Sequence, residues 1–241
     1  MGGFQLNELI DRMILLLVLL AACSAAHATT ADTHDVVYWN SPTGKLLRAR
    51  IPADADYWQL SPVFAVQQTQ SYCSVASAIT VLNAFPGKKP IDPVYAPYPY
   101  FTQRDFFTPA VNKIIDAKTV LAQGMTREQM VKTLQAQGVK AQSIAGDSLD
   151  NQQLRTLLQK ALGDDGHFVL VNYLRAWLDQ VGGGHWSVLA AYDAQSDRVL
   201  ILDVAKYKYL PVWVRIDALH RAIDSIDHTS GKPRGLVIVS Q

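Results

Sequence analysis

The chain has 241 residues, 49% apolar and 18% charged, and its 22 basic and 21 acidic side chains leave a net charge of +1. That balance describes an ordinary folded globular chain of one large domain or two small ones, and excludes a disordered, collagenous or fibrous one. It also lacks the basic footprint of a nucleic-acid binder, and two cysteines, Cys23 and Cys73, are too few for a disulfide framework or a cysteine-rich zinc site.

Met13 to Ala22 is an unbroken apolar run of ten residues, half of the about 20 that a membrane-spanning helix needs. Ala26-His27-Ala28 then offers an A-x-A cleavage site, which predicts a signal peptide over residues 1–28. Leu20-Ala21-Ala22-Cys23 competes with it as a lipobox, in which the leader is 1–22 and Cys23 carries a lipid anchor. Glu8 and Asp11 beside a single Arg12 are unusual in either leader, and a buried N-terminal helix is the third alternative. The expected mature chain, 29–241, is a single domain outside the cytoplasm, periplasmic or anchored to a membrane.

From Cys73 to Asn83 the chain is apolar nearly all round, as a helix through a core would be. Phe85 to Pro109 is too proline-rich for a helix and predicts an ordered aromatic loop. Thr126 with Gln129 forms a capping box for a helix that lines up Met130, Val131 and Leu134 and stops at Gly138. Asp150 to Ala161 repeats the design with Leu154, Leu157 and Leu158 inward. Then the period changes. Short apolar runs at 167–173, 186–192 and 199–203 read as neighbouring antiparallel strands, followed by a strand at 212–215, a helix at about 217–226 and a last strand at 235–239. Helices grouped ahead of strands argue for an α+β domain in two halves, with a cleft between them.

Cys73 opens the apolar helix, where free backbone N–H groups favour a thiolate. A reactive nucleophile and an inert buried cysteine both fit that position. Of the histidines, His27 falls in the leader, His34 just after it, His167 at a strand start, and His220 and His228 on polar surroundings that predict solvation. His185 is different. Gly182-Gly183-Gly184 lets the backbone bend before it, and Asp203, at the end of the next strand of the same hairpin, can reach its ring. Alone, Asp203 reads as a strand-end cap; with Cys73 and His185 it completes a nucleophile, base and orienter in the order Cys, His, Asp.

Gln67 six residues before Cys73, the helix opening at Cys73, GGGH at 182–185, ILDVAKYKYLPVWV at 201–214 and SIDHTSGKPRG at 225–235 resemble the phytochelatin synthase family, from about Tyr57 to the C-terminus. The resemblance implies a papain-like fold, a helical half packed on an antiparallel half with the site in the cleft. It implies glutathione as donor and acceptor of a γ-glutamylcysteinyl group, Cys73, His185 and Asp203 as the triad, and Gln67 as the oxyanion-hole side chain. It points to Asn172, Arg175, Gly184, Asp227 and Arg234 around the γ-glutamyl group. No bound cofactor or protein-held metal is implied; cadmium or zinc enters as a glutathione thiolate that stimulates transfer. A homodimer is compatible with the family. Ser74 stands where the family usually has glycine, a difference that bears on the pocket width beside the thiolate. The cysteine-rich extension of plant and yeast members is not matched before Gln241, so hydrolysis is expected to outweigh phytochelatin synthesis. Two rivals stay open, a papain-like peptidase of the double-glycine leader type and a non-catalytic periplasmic protein that binds thiols or metal.

Overall fold

A computed structural model describes residues 34–163 and 166–241. The leader and lipobox readings, Cys23 included, lie outside the described residues. In chain order the elements are β1 (Val36–Tyr38), α1 (Pro42–Ala49), α2 (Tyr57–Leu60), α3 (Cys73–Ala84), α4 (Pro109–Asn112), α5 (Ala117–Gln123) and α6 (Arg127–Ala136). They continue as β2 (Lys140–Ala145), α7 (Asn151–Ala161), β3 (His167–Leu174), β4 (Gly184–Asp193), β5 (Arg198–Leu202), β6 (Val212–Arg215), α8 (Ile216–Asp224), β7 (Ile226–Asp227), β8 (Lys232–Pro233) and β9 (Gly235–Ser240).

Local signals set the helix boundaries. The predicted capping boxes are present: Thr126 and Gln129 exchange side-chain-to-backbone hydrogen bonds at the start of α6, as Asp150 and Gln153 do at the start of α7. Gly138 follows α6 with φ +89°, a conformation that glycine adopts without a Cβ penalty. Between α3 and α4, residues 85–108 hold turns but no helix or strand. That loop is pinned to the core by Asn83, whose side chain donates to the Phe101 carbonyl and accepts from the Phe101 N–H, both at 2.9 Å.

Seven strands form one sheet in the order β1-β6-β5-β4-β3-β9-β2, with every neighbouring pair antiparallel. The β7–β8 ribbon stands apart from it. Along β3, Phe168 and Leu170 join Val75, Ile79 and Leu82 of α3 in one core. Val169 and Val171 instead join Leu154 and Leu158 of α7 and Leu219 and Ile223 of α8 in a second core. Successive strand residues point to opposite faces, so a sheet buried on both sides requires apolar residues at nearly every position. That is why β3, β4 and β5 read as continuous apolar runs. The α+β class holds, with a correction: the helices do not form one half beside the sheet but cover both its faces.

β4 and β5 form the central hairpin. Their register shifts between Leu189 and Ala191, which leaves Ala190 as an extra residue on β4, a β-bulge. Among the described residues no helix is long and apolar enough to cross a membrane.

Candidate active site

The first residue of α3 is Cys73, only 7% exposed and a free thiol. Helices α4 to α7 are capped by the side chains of Thr108, Asp116, Thr126 and Asp150, but Tyr72 at the N-cap of α3 makes no such bond. A capping oxygen would compete for the first-turn N–H groups. Here the Cys73 side chain stands at that place, and the backbone N–H groups of Ser74 and Trp186 and the His185 ring favour its charged form. Burial alone pushes the Cys73 thiol up. The charge and hydrogen bond of His185, with those two backbone donors, outweigh it and hold the thiol below its ordinary value.

His185 stands at the opening of β4, directly opposite Tyr173 of β3, and packs edge-on against the Tyr173 ring. Its Nε2 lies 2.9 Å from Asp203 Oδ1, which leaves Nδ1 to face the thiol. Burial lowers the His185 pKa, and the Cys73 and Asp203 charges more than reverse this, so the ring stays protonated above the ordinary histidine range. The structure thus brings the three residues expected from sequence into one buried line.

Behind that line lies a residue whose placement differs from expectation. Arg175 does not line the cleft: it is 3% exposed, and its guanidinium meets Asp203 through two contacts, Nη1 to Oδ2 at 2.7 Å and Nη2 to Oδ1 at 2.9 Å. Gln180 accepts a further hydrogen bond from Arg175 Nη1, and the Arg175 backbone N–H donates to the Gly183 carbonyl at 3.2 Å. The Ala205 N–H also donates to Asp203 Oδ1 at 2.9 Å. Burial works against the Asp203 charge, but His185 and Arg175 together hold its carboxyl far below the usual range. Asp203 is therefore a fixed anion, able to orient an imidazolium and unsuited to exchanging protons itself.

A cleft of about 220 Å³ opens over Cys73 and His185, lined also by Asn172, Gly184, Asp227 and Arg234. Arg234 is 5% exposed, donates from Nη1 to Asn172 Oδ1 at 2.8 Å, and holds Nη2 at 3.5 Å from Asp227 Oδ1. Gly184 makes room for it. A Cβ there would stand 2.2 Å from Arg234 Nη1, so only glycine lets the guanidinium lie across the start of β4. Gly182, at φ +127°, supplies the bend before it. The cleft thus carries a thiol and an imidazole together with a cation, an anion and an amide, and the last three are complementary to an amino-acid zwitterion.

Gln67 is buried but does not line the cleft. Its Nε2 donates to the Thr69 carbonyl and to the Tyr207 hydroxyl, both at 2.8 Å, so both amide protons are engaged. Ser74 is fully buried and its hydroxyl has no hydrogen-bond partner. Of the two histidines expected to be solvated, His220 departs, its Nε2 contacting the Leu149 carbonyl at 2.6 Å, while His228 is exposed as expected and stands on the rim of the cleft. Under the aromatic loop a separate cavity of about 490 Å³ is walled by Tyr95, Tyr100 and Phe101. Tyr98, in the same loop, is 74% exposed and is not part of that wall. Among the described residues no three His, Cys, Asp or Glu side chains cluster as a bound metal ion would require.

The family model for phytochelatin synthase matches residues 29–236. Over 188 residues, 77% of this chain, the sequence is 30% identical to glutathione gamma-glutamylcysteinyltransferase 1 of Arabidopsis thaliana and 30% identical to the like-named protein of Triticum aestivum. A glutathione gamma-glutamylcysteinyltransferase of Schizosaccharomyces pombe is 33% identical over 75 residues, 31% of this chain and 18% of its own length. The aligned region spans only 37% of the Arabidopsis relative and 36% of the wheat one.

Proposed function

The chain belongs to the phytochelatin synthase family, and from that premise we propose that it is a cysteine-dependent γ-glutamylcysteinyl transferase and hydrolase acting on glutathione. The observation that carries the reading is the joint presence, in one cleft, of the Cys73–His185 pair and the Arg234, Asp227 and Asn172 cluster. The cluster matches the free α-amino and α-carboxylate groups that a γ-linked glutamyl residue presents. The nucleophile at a helix start against an antiparallel sheet supports a papain-like arrangement.

In the first half-reaction the Cys73 thiolate attacks the carbonyl carbon of the cysteine–glycine bond. As the carbon–nitrogen bond breaks, protonated His185 gives its proton to the departing glycine nitrogen, and a γ-glutamylcysteinyl thioester remains on Cys73. In the second, water or the α-amine of another glutathione attacks the thioester, His185 accepts the proton, and Cys73 leaves as thiolate. Water yields γ-glutamylcysteine; glutathione yields phytochelatin. Asp203 holds the ring in the required tautomer, and Arg175 keeps Asp203 ionised and in place. Gln67 becomes an oxyanion donor once its amide is released from the Tyr207 hydroxyl.

Cadmium or zinc takes part as glutathione thiolate, a substrate form whose acceptor sulfur is already masked. We also propose export, with processing after Ala28 or at Cys23, and N-terminal sequencing of the native protein tests it: recovery of intact Met1 from the cytosol would sink that part. The reaction is tested by incubating the purified protein with glutathione and weighing the products. Glycine release with γ-glutamylcysteine or phytochelatin is expected. Cleavage of ordinary peptides with glutathione left intact would favour a general papain-like peptidase instead.

A further inference from the structure

The segment that carries Gln67 is neither helix nor strand: residues 64–72 lead irregularly into α3. Val66 and Gln68, on either side of Gln67, are exposed, and the cavity under the aromatic loop opens against both. Side-chain packing therefore does little to fix this stretch of backbone.

Hydrogen bonds fix it instead. Gln103, in the aromatic loop, donates from Nε2 to the Val66 carbonyl at 2.7 Å and accepts at Oε1 from the Gln68 N–H at 3.0 Å. One carboxamide thus grips the residue before Gln67 and the residue after it, as a neighbouring β-strand would bracket them. From the opposite edge the Gln67 N–H donates to the carbonyl of Val204, next in the chain to Asp203, at 2.9 Å. Gln103 is only 4% exposed, so breaking its clamp leaves buried polar groups unpaired. Its own position comes from the nucleophile's helix. Asn83 of α3 binds both backbone groups of Phe101, two residues before Gln103, so a line of contacts runs from α3 through the loop to Gln67.

An oxyanion donor works only when it is aimed, with its nitrogen about 2.7–3.1 Å from the oxygen that becomes charged. A side chain on an irregular segment keeps such an aim only if the backbone on both sides is held. We propose that Gln103 is a positioning residue for the reaction: through Val66 and Gln68 it aims the Gln67 amide at the carbonyl oxygen that becomes negative when Cys73 attacks. This rests on the oxyanion role proposed for Gln67, and it gives the aromatic loop the task of holding that residue.

The test is a double-mutant cycle on the full chain, reading kcat and KM for glutathione in the parent, Gln103→Met, Gln67→Ala and the two combined. Gln103→Met is expected to lower kcat about ten- to a hundredfold with KM little changed, the pattern of a misaimed transition-state contact. The combined variant should be no slower than Gln67→Ala alone, because without the amide there is nothing left to aim. A residue that only supports the fold would multiply the two losses, and that result overturns the assignment. Parental kcat in a folded Gln103→Met overturns it as well. Parental kcat in Gln67→Ala removes the oxyanion reading and this inference with it, while glycine release by the parent keeps the proposed reaction standing. A parent that releases no glycine removes the reaction too. If Gln103→Met fails to fold, Gln103→Glu carries the same cycle with a smaller expected loss, since it keeps the acceptor for the Gln68 N–H and loses only the donor to Val66.

Discussion

Arg175 and Asp203, 28 residues apart in sequence, meet through two contacts of 2.7 and 2.9 Å in a place where one is 3% exposed and the other not at all. The pair lies behind Cys73 and His185, and Arg175 helps to hold the Asp203 carboxyl far below the usual range. Arg175→Met would leave that carboxylate buried with one counter-ion fewer, and breaking a buried ion pair by removing one partner costs roughly 3–5 kcal/mol. Urea unfolding of parent and variant measures it, and a loss under about 1 kcal/mol would show that the pair is not a structural anchor.

Cys73→Ser and His185→Ala should each leave a folded protein without useful turnover of glutathione. Removing the base alone is worth about 10²–10⁴ in kcat, and a serine hydroxyl is far less ionised than this thiol. Members of a catalytic unit fail together, so the double variant should be no worse than either single one. Glycine release by Cys73→Ser at a tenth of the parental rate or more would remove Cys73 from its role.

The charge pattern of the site sets a pH window. Cys73 must be ionised and His185 protonated, so kcat/KM rises as pH passes the lowered Cys73 pKa and falls as pH passes the raised His185 pKa. Asp203→Asn removes a charge and a hydrogen bond that favour the imidazolium, so its alkaline limb should move toward lower pH. An unmoved alkaline limb in a folded variant would deny Asp203 that influence. An unfolded variant would make it a structural residue.

Gly184→Ala should separate binding from folding. The new Cβ meets the Arg234 guanidinium, the far end of a side chain and not backbone, so the fold should survive while Arg234 shifts off the cleft. KM for glutathione should rise about tenfold, equivalent to about 1.4 kcal/mol of lost binding, with the thermal midpoint little changed. Equal KM values would place Arg234 outside substrate binding.

Gln67 and Tyr207 give an opposed pair of outcomes. Gln67→Ala should lower kcat by about 10²–10³, the usual loss for one oxyanion donor. Tyr207→Phe frees one of the two occupied amide protons and should leave kcat at or above the parental value. Steady-state rates at saturating glutathione decide it, and a matching fall in both variants would make the Tyr207 contact a necessary support of the Gln67 side chain.

Much of the site could be read from the chain because its signals were local. A helix start at Cys73, glycines before His185 and a strand ending just before Asp203 each leave a mark within a few residues. Both capping boxes were legible for the same reason. Arg175 was misplaced because nothing beside it in sequence tells whether a guanidinium turns toward a cleft or back toward a carboxylate 28 residues on. The clamp of Gln103 was invisible, since its partners at Val66 and Gln68 are set only once the aromatic loop has folded back onto that segment. The strands β1 and β2 were missed as well. Both lie at the edges of the sheet, where β1 is three residues long and β2 carries polar residues without a clean alternation.

Ala190 changes the parity of the central hairpin. From the turn, Asp193 faces Arg198 and Ala191 faces Leu200; carried onward without interruption, that count would set Asp203 opposite Val188. The extra residue instead pairs Val188 with Leu202, so Asp203 comes opposite Ser187, two residues from His185 and thus on the same face as it. Consistent with this, the Val204 N–H donates to the Ser187 hydroxyl at 3.4 Å. One small residue, five positions from the histidine and with no polar side chain of its own, therefore decides whether base and orienter can meet at all. Removing it would send the carboxylate through to the opposite side of the sheet.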